Sequence, residues 1–289
     1  MRGRGIDFEH RFRTSRWAED LLIRSLGTAQ GLLTVRFGLS EIRPDAELEY
    51  GTSDLKEPDL LVYELADLSN AERKSLETLD LVSQDRADFG SGGALRFVTE
   101  KALAAVEVEF SPYKAREMAG RDWKPRTIER WKRRPLKHAN PPTAPNIWVK
   151  EEDLGKLLTW ERVSKVPIVV VHIFDQEAFA VSLKRVEKFD KQLKKTSSRR
   201  KRVMLQVTSG IFAKIQSYAR VDAQGAREQK PVFVVTPAVA VRTGEVEDVK
   251  VDTQLGVSSS KKYVSHVIFS GGKLTVSPEF VALLRALRP

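Results

Sequence analysis

The chain contains no cysteine. Disulfide scaffolds, thiolate zinc sites and cysteine nucleophiles are therefore excluded. Histidine is scarce. His10, His138, His172 and His266 are the four present, and no two are close enough in sequence to form a local metal motif. A metal in this chain would be a hard cation held by oxygen ligands. Long apolar runs are missing too, since none approaches the roughly 18 residues that mark a bilayer-spanning helix. The basic start, Met1-Arg2-Gly3-Arg4-Gly5, has no apolar stretch behind it, so neither a secretory signal nor a membrane association is expected.

What is present suits a globular protein. The 289 residues, 41% of them hydrophobic, suffice for one large domain or two modest ones with a substantial core. No internal repeat or clear linker divides the chain, and a single domain over residues 1–289 is expected. Lys plus Arg number 49 against 39 for Asp plus Glu, giving a formal charge of +10 and a pI near 9.7. An excess of that sign favours a polyanionic partner.

Hydrophobic spacing predicts helices over residues 15–29 (Ser15 as N-cap, then Trp17, Leu21, Leu22 and Leu26), 151–160, 186–195 and 278–287. Strands are expected over 32–37, 39–42, 60–65, 102–110, 166–174, 179–183, 203–208 and 264–269, with a mixture of helix and loop over 67–81. Gly90-Ser91-Gly92-Gly93 reads as a flexible turn, and Ser111-Pro112 as the start of a further helix reaching Gly120. Residues 138–145 hold three prolines and read as an extended connector. Pro237 breaks the apolar run 232–241, and 196–202 reads as a basic loop. The alternation of helices and strands predicts an α/β (α+β) fold, a central mixed β-sheet flanked by helices.

Two short pieces carry most of the chemistry: Glu57-Pro58-Asp59-Leu60-Leu61-Val62 and Ala105-Val106-Glu107-Val108-Glu109-Phe110. Residues two apart on a strand share a face, so Glu107 and Glu109 project together, roughly 6.5–7 Å apart along the chain. If the strand that Asp59 opens lies alongside, three carboxylates converge, and such a cluster calls for a divalent cation. The plainer alternative is a solvated edge strand. The apolar run from Ala102 to Val106 favours a central strand instead, where acidic groups need compensation. A glycosidase acid–base pair would also fit the carboxylate spacing, but the basic balance and the convergence with Asp59 argue against it.

Pro58-Asp59, followed 48 positions later by Glu107-x-Glu109, resembles the PD-(D/E)xK nuclease superfamily. In that family an Asp starts one strand of a hairpin-like pair, and an acidic residue and a Lys, two apart, sit on the next. Here the third position is Glu109 instead of Lys, which resembles the Glu-x-Glu subset of type II restriction endonucleases. The resemblance implies a restriction-endonuclease-like core over about residues 15–120 plus strands from 166–210, the remainder serving recognition and dimerisation. It implies Mg²⁺, with Mn²⁺ as a substitute, ligated by Asp59, Glu107 and Glu109, and joined by Glu19 from an early helix. The ion would polarise the phosphate and acidify a bound water. Lys114, one turn into the next helix, would reach the phosphate or else be a surface lysine.

The implied activity is site-specific hydrolysis of double-stranded DNA leaving 5′-phosphate and 3′-hydroxyl ends, by a homodimer in a prokaryotic cytoplasm, beside a protecting DNA methyltransferase. A repair or structure-specific nuclease of the same superfamily is one rival. A non-catalytic DNA-binding protein with a degenerate nuclease fold is another. For the DNA contacts the sequence offers a basic stretch with Lys124, Arg126, Arg130, Lys132, Arg133 and Arg134, interleaved with Trp123 and Trp131, and the run Arg199, Arg200 and Arg202. The two tryptophans suit anchoring the stretch to the core better than packing on sugars or bases. His172 and Gln176, with Asp175, follow a buried strand and suit either base reading or the capping of a turn.

Overall fold

The computed structural model describes residues 6–29, 31–38, 56–78, 96–111, 115, 118, 145–221, 227–257 and 263–288. The expected strand at 39–42, the Gly90–Gly93 turn, Lys114, Trp123, Trp131 and the basic residues Lys124, Arg126, Arg130, Lys132, Arg133 and Arg134 lie outside the described residues. So does nearly all of the helix expected after Ser111, and residues 138–144 of the connector.

In chain order the elements are α1 (Ile6–Ala29), β1 (Leu32–Arg36), β2 (Leu60–Glu64), a 3-10 turn (Leu65–Asp67), α2 (Asn70–Thr78), α3 (Arg96–Glu100), β3 (Ala104–Phe110), β4 (Ile147–Lys150) and α4 (Glu151–Ser164). They continue with β5 (Ile168–Ile173), β6 (Glu177–Ser182), α5 (Leu183–Lys195), α6 (Arg199–Ser209), β7 (Ile211–Val221), β8 (Arg227–Val235), β9 (Val241–Val257), β10 (Tyr263–Val276) and α7 (Pro278–Ala286). A seven-stranded mixed sheet has the order β1-β2-β3-β5-β6-β9-β10, and a three-stranded sheet the order β4-β8-β7. The pairs β1/β2 and β2/β3 are antiparallel, while β3/β5 is parallel, with Glu107 opposite Val170 and Glu109 opposite His172. The chain between β3 and β5, which contains β4 and α4, makes the crossover that a parallel pair requires. This is the expected mixed sheet flanked by helices. No described helix is long and apolar enough to cross a membrane.

The core divides by strand alternation. On one face Leu60, Val62, Val106, Val108, Val169 and Val171 pack with Leu21, Leu22 and Leu26 of α1 and Phe280 and Leu284 of α7. On the other, Leu61, Tyr63, Ala105, Ile168 and Val170 pack with Leu154 and Leu157 of α4, Val186 and Phe189 of α5, and Ile147 and Phe233 of the small sheet. Helix α1 touches both β1 and β10, the two edge strands, so the large sheet curls around it. Trp17 fastens that contact by stacking on Phe269, centroids 5.0 Å apart, and donating to the Gly271 carbonyl at 2.8 Å.

Some local expectations are corrected. Ser15 is not an N-cap: α1 begins at Ile6, and the Ser15 hydroxyl donates to Glu19 Oε1 at 3.4 Å inside the helix. The basic run and the apolar stretch after it are neither loop nor strand but one helix, α6. Val203 and Val207, four apart, give that helix its buried stripe, and Gly210 at φ 66° closes it in the left-handed conformation that glycine favours. Strands β4 and β9 have no counterpart in the sequence reading, because β9 is rich in charged residues and β4 spans only four positions.

Candidate metal centre

Asp59 stands just ahead of β2. Its carbonyl accepts from the Phe37 and Gly38 amides at 2.9 and 3.3 Å, which ties it to the end of β1. Gly38 is required for that approach, since a Cβ there would sit 2.7 Å from the Pro58 carbonyl oxygen. Ladder pairing of β2 with β3 extends no further than Leu60 opposite Val106. The next outward amide on β3, that of Val108, is satisfied by the Asp59 carboxylate, with Oδ2 2.6 Å away. The carboxylate of Asp59 is thus fixed beside the backbone between Glu107 and Glu109.

Those two glutamates share the face of β3 that looks toward α4. Strand β3 is interior to the sheet, so the edge-strand alternative fails. Glu107 is 5% exposed, and Glu109 is half-buried. Asp153, from the first turn of α4, meets them: each of the three carboxylates offers an oxygen, and these oxygens lie within 4.8 Å of one another. Beside them, Trp148, Val149, Lys150, Leu157 and Val170 complete the lining of a cavity of about 10 Å³, room for one ion or water. Glu107 Oε2 is buried and has no hydrogen-bond partner among the described residues.

Two lysines answer this charge. Lys56 Nζ bridges Glu107 Oε1 and Asp153 Oδ2, the latter at 2.9 Å, with 31% of its side chain exposed. Lys150 Nζ lies 3.2 Å from Glu109 Oε1 and 3.8 Å from Asp153 Oδ2. Burial, then the neighbouring Glu107 and Glu19 carboxylates, push Asp59 well above the usual carboxylate range. Burial also raises Glu107, against the pull of Lys56 and with the help of Glu109. Burial works against the Lys56 ammonium, but Glu107, Asp153, Glu109 and Asp59 outweigh it and hold its pKa well above ordinary. Glu109, foremost, holds Lys150 above its ordinary value as well.

Glu19 lies on the far side of Asp59 from this group. It is 3% exposed, is paired with Arg36 Nη1 at 2.7 Å, and is raised by burial. Arg36 also pairs with Asp20. The fold therefore brings Glu107 and Glu109 together with Asp153, sets Asp59 against them, and keeps Glu19 as Asp59's neighbour in a pair of its own. Asp153, Lys56 and Lys150 did not stand out in the sequence. Asp153 reads there as one of three acids opening a helix, where the helix dipole favours them for ordinary reasons.

Of the residues expected to read or hold DNA, His172 is 4% exposed, which withdraws it from any surface a duplex would touch. Its Nδ1 accepts from the Trp148 amide at 3.3 Å, and its ring stacks on Phe174 with centroids 4.7 Å apart. Burial pushes it down to about 4, so at neutral pH it is an uncharged ring. Asp175 accepts from the Ala115 amide at 2.8 Å, a tether for the chain beyond β3. Gln176 is half-buried at the β5–β6 turn, and its carbonyl accepts from Val246. Arg199, Arg200 and Arg202 are exposed on the first turns of α6. Comparison with known protein families, with characterised proteins and with solved structures gives no match for this chain.

Proposed function

We propose that the chain is a Mg²⁺-dependent endonuclease acting on double-stranded DNA, of the type II restriction class. The single observation that carries the metal reading is Glu107: a buried carboxylate oxygen without a partner, placed in a three-carboxylate group whose oxygens lie within 4.8 Å of one another. The clustered donors are all carboxylate oxygens, which suits a hard cation. Glu107, Glu109 and Asp153 would hold the ion, with Asp59 adjoining. A divalent cation bound there would polarise a phosphate and lower the pKa of a water.

The remaining chemistry belongs to the chain. Asp59, fixed by the Val108 amide, orients groups at the Glu107 edge. Glu109, half-buried beside Lys150, is the carboxylate placed to take a proton from an attacking water. Lys56 and Lys150, paired with the site's carboxylates, would offer their ammonium groups to a phosphate oxygen, a role that the Glu-x-Glu sequence leaves without a residue on β3 itself. The restriction class is supported by the order of parts: an Asp opening β2, and Glu-x-Glu on the antiparallel neighbour β3. The homodimer and the companion methyltransferase come with that class.

A second reading has its own observation. Lys56 and Lys150 already offset much of the acidic charge, and a cluster neutralised by lysines needs no ion; this favours a DNA-binding protein without cleavage. Incubating the purified chain with plasmid DNA, with and without Mg²⁺, separates the readings. Discrete double-strand fragments appearing with Mg²⁺ are expected. Intact plasmid at every Mg²⁺ and Mn²⁺ concentration would overturn the nuclease reading, and nicking confined to branched or damaged DNA would move it to the repair class.

A further inference from the structure

Among the described residues one region stands out for its positive charge. Residues 183–209, comprising α5, a three-residue link and α6, carry ten Lys or Arg against two Asp or Glu, a net of +8 in a chain whose total is +10. The second basic stretch, residues 121–137 with eight Lys or Arg against two Asp or Glu, lies outside the described residues. The arrangement on α5 is regular. Leu183, Val186 and Phe189 are buried in the core, while Lys184, Lys188, Lys191 and Lys195 are exposed. The spacing of those lysines, four, three and four, places them in one row on a helix. That row runs opposite the buried face and is about 16 Å long at 1.5 Å per residue.

The row also has a direction. At its start Lys184 lies 3.3 Å from Glu161, near the end of α4. At the other end of α5, next to the row's last member, Lys194 is influenced by the charge of Glu151, the first residue of α4. Helix α5 therefore runs antiparallel to α4, and its basic C-terminal end returns to the end of α4 that supplies Asp153. Beyond Lys195 the exposed Arg199, Arg200 and Lys201 prolong the same charge. Lys191 and Lys194 are paired along the helix with Glu187 and Asp190, exposed pairs of the kind that contribute little. Lys188, Lys195, Arg199, Arg200 and Lys201 make no ion pair among the described residues.

We propose that the outer face of α5, continued by the first turn of α6, holds one backbone of duplex DNA and leads it to the Glu107–Glu109–Asp153 group. Duplex DNA carries one phosphate per about 3.4 Å of axis on each strand, so a row of this length faces about five phosphates. The proposal rests on the nuclease reading for where the row leads, but the binding itself is measurable without cleavage.

The test uses the full chain and a short labelled duplex, followed by fluorescence anisotropy without divalent ion over a series of salt concentrations. Three proteins are compared: wild type, K188Q/K191Q/K195Q, and R73Q/K74Q on α2 as a control for lost charge. The triple variant should lose roughly 0.9 in the slope of log affinity against log salt for each phosphate released, about 2.7 in all. The control should keep the wild-type slope, and K188R/K191R/K195R should restore it.

An unchanged slope in the triple variant, or an equal loss in the control, overturns the proposal. Tighter binding of an RNA duplex of the same sequence would overturn it as well. Failure of the nuclease reading looks different: wild type binds with the expected slope but leaves plasmid intact in Mg²⁺.

Discussion

The acidic group at the end of β3 and the basic row on α5 meet at the same end of α4, yet they are built on opposite terms. Glu107 is buried and Asp59 half-buried, and desolvation raises both carboxyls. The lysines of α5 stand in solvent, with apolar neighbours only on the other side of the helix. A solvated charge costs folding almost nothing and is correspondingly weak evidence of purpose. A buried one is expensive unless compensated. The carboxylates are therefore the more informative of the two regions, and the lysines acquire meaning from where their row leads.

The largest expected effect tests whether the buried region performs the chemistry. Glu107→Ala and Asp59→Ala should each reduce plasmid cleavage by at least about a hundredfold, the lower end of what a catalytic group contributes. Duplex binding by the exposed region should be nearly retained. Cutting at the wild-type rate by either variant would remove that residue from the site. Loss of binding with loss of cutting would erase the division of labour between the two regions.

Burial gives the acidic region a signature in stability that the basic row lacks. Asp59 and Glu107 titrate higher folded than unfolded. Their contribution to stability is full below the ordinary carboxylate pKa of about 4, and is lost as pH rises through their raised values. Lys56 acts in the same sense far higher on the scale, so its contribution persists through neutral pH. A cation that binds the ionised carboxylates should restore what rising pH removes. Mg²⁺ at about a hundred times its dissociation constant should stabilise the fold by about 2.7 kcal/mol, visible as a higher melting temperature at about pH 8 and a much smaller rise at about pH 5. Equal shifts at both values would mean that ion binding does not involve these carboxyls.

Lys56 joins the two regions in miniature, a cation placed inside the acidic group. Lys56→Met should destabilise the metal-free protein by roughly 1–3 kcal/mol. That is below the usual cost of breaking a buried pair, because 31% of the side chain is exposed and solvent screens it. The same change removes a competitor for the oxygens, so the thermal shift produced by Mg²⁺ should grow. A smaller shift would show that Lys56 helps to hold the ion's surroundings together and does not compete with it.

Much of this was legible in the sequence, for reasons that differ by residue. Alternation marked β3 correctly, and the apolar stretch before Glu107 identified it as interior, because a strand covered on both faces has no polar side to show. The position of Asp59 ahead of an apolar strand was legible, and the structure sets its carboxylate against the Val108 amide. Asp153 was invisible, since an acid in a first helical turn has a sufficient local explanation, and its approach to Glu107 depends on a crossover of more than forty residues. Lys150 arrives on the same crossover, and Lys56, three positions before Asp59, belongs to no pattern that marks a site. The α6 helix was misread because Val203 and Val207 favour strand by propensity, while their spacing and Gly210 favour helix. His172 looked available for recognition as a polar residue near the end of its strand; here it lies within β5, and the small sheet, through Trp148, covers it.

The smallest effect expected distinguishes the two regions by sign. Helix α6 opens with Arg199, Arg200, Lys201 and Arg202, and has no acidic residue in its first turn. The positive end of a helix dipole disfavours cations there, so this placement works against the helix. R199Q/R200Q should raise the melting temperature by on the order of 2 °C at low salt, with the gain shrinking as salt screens it. The same variant should bind duplex DNA more weakly and with a shallower salt slope. Opposite signs in stability and binding are what a surface kept for a polyanion produces. A loss of stability would show instead that the two arginines hold α6 in place, and their charge would then have a structural explanation.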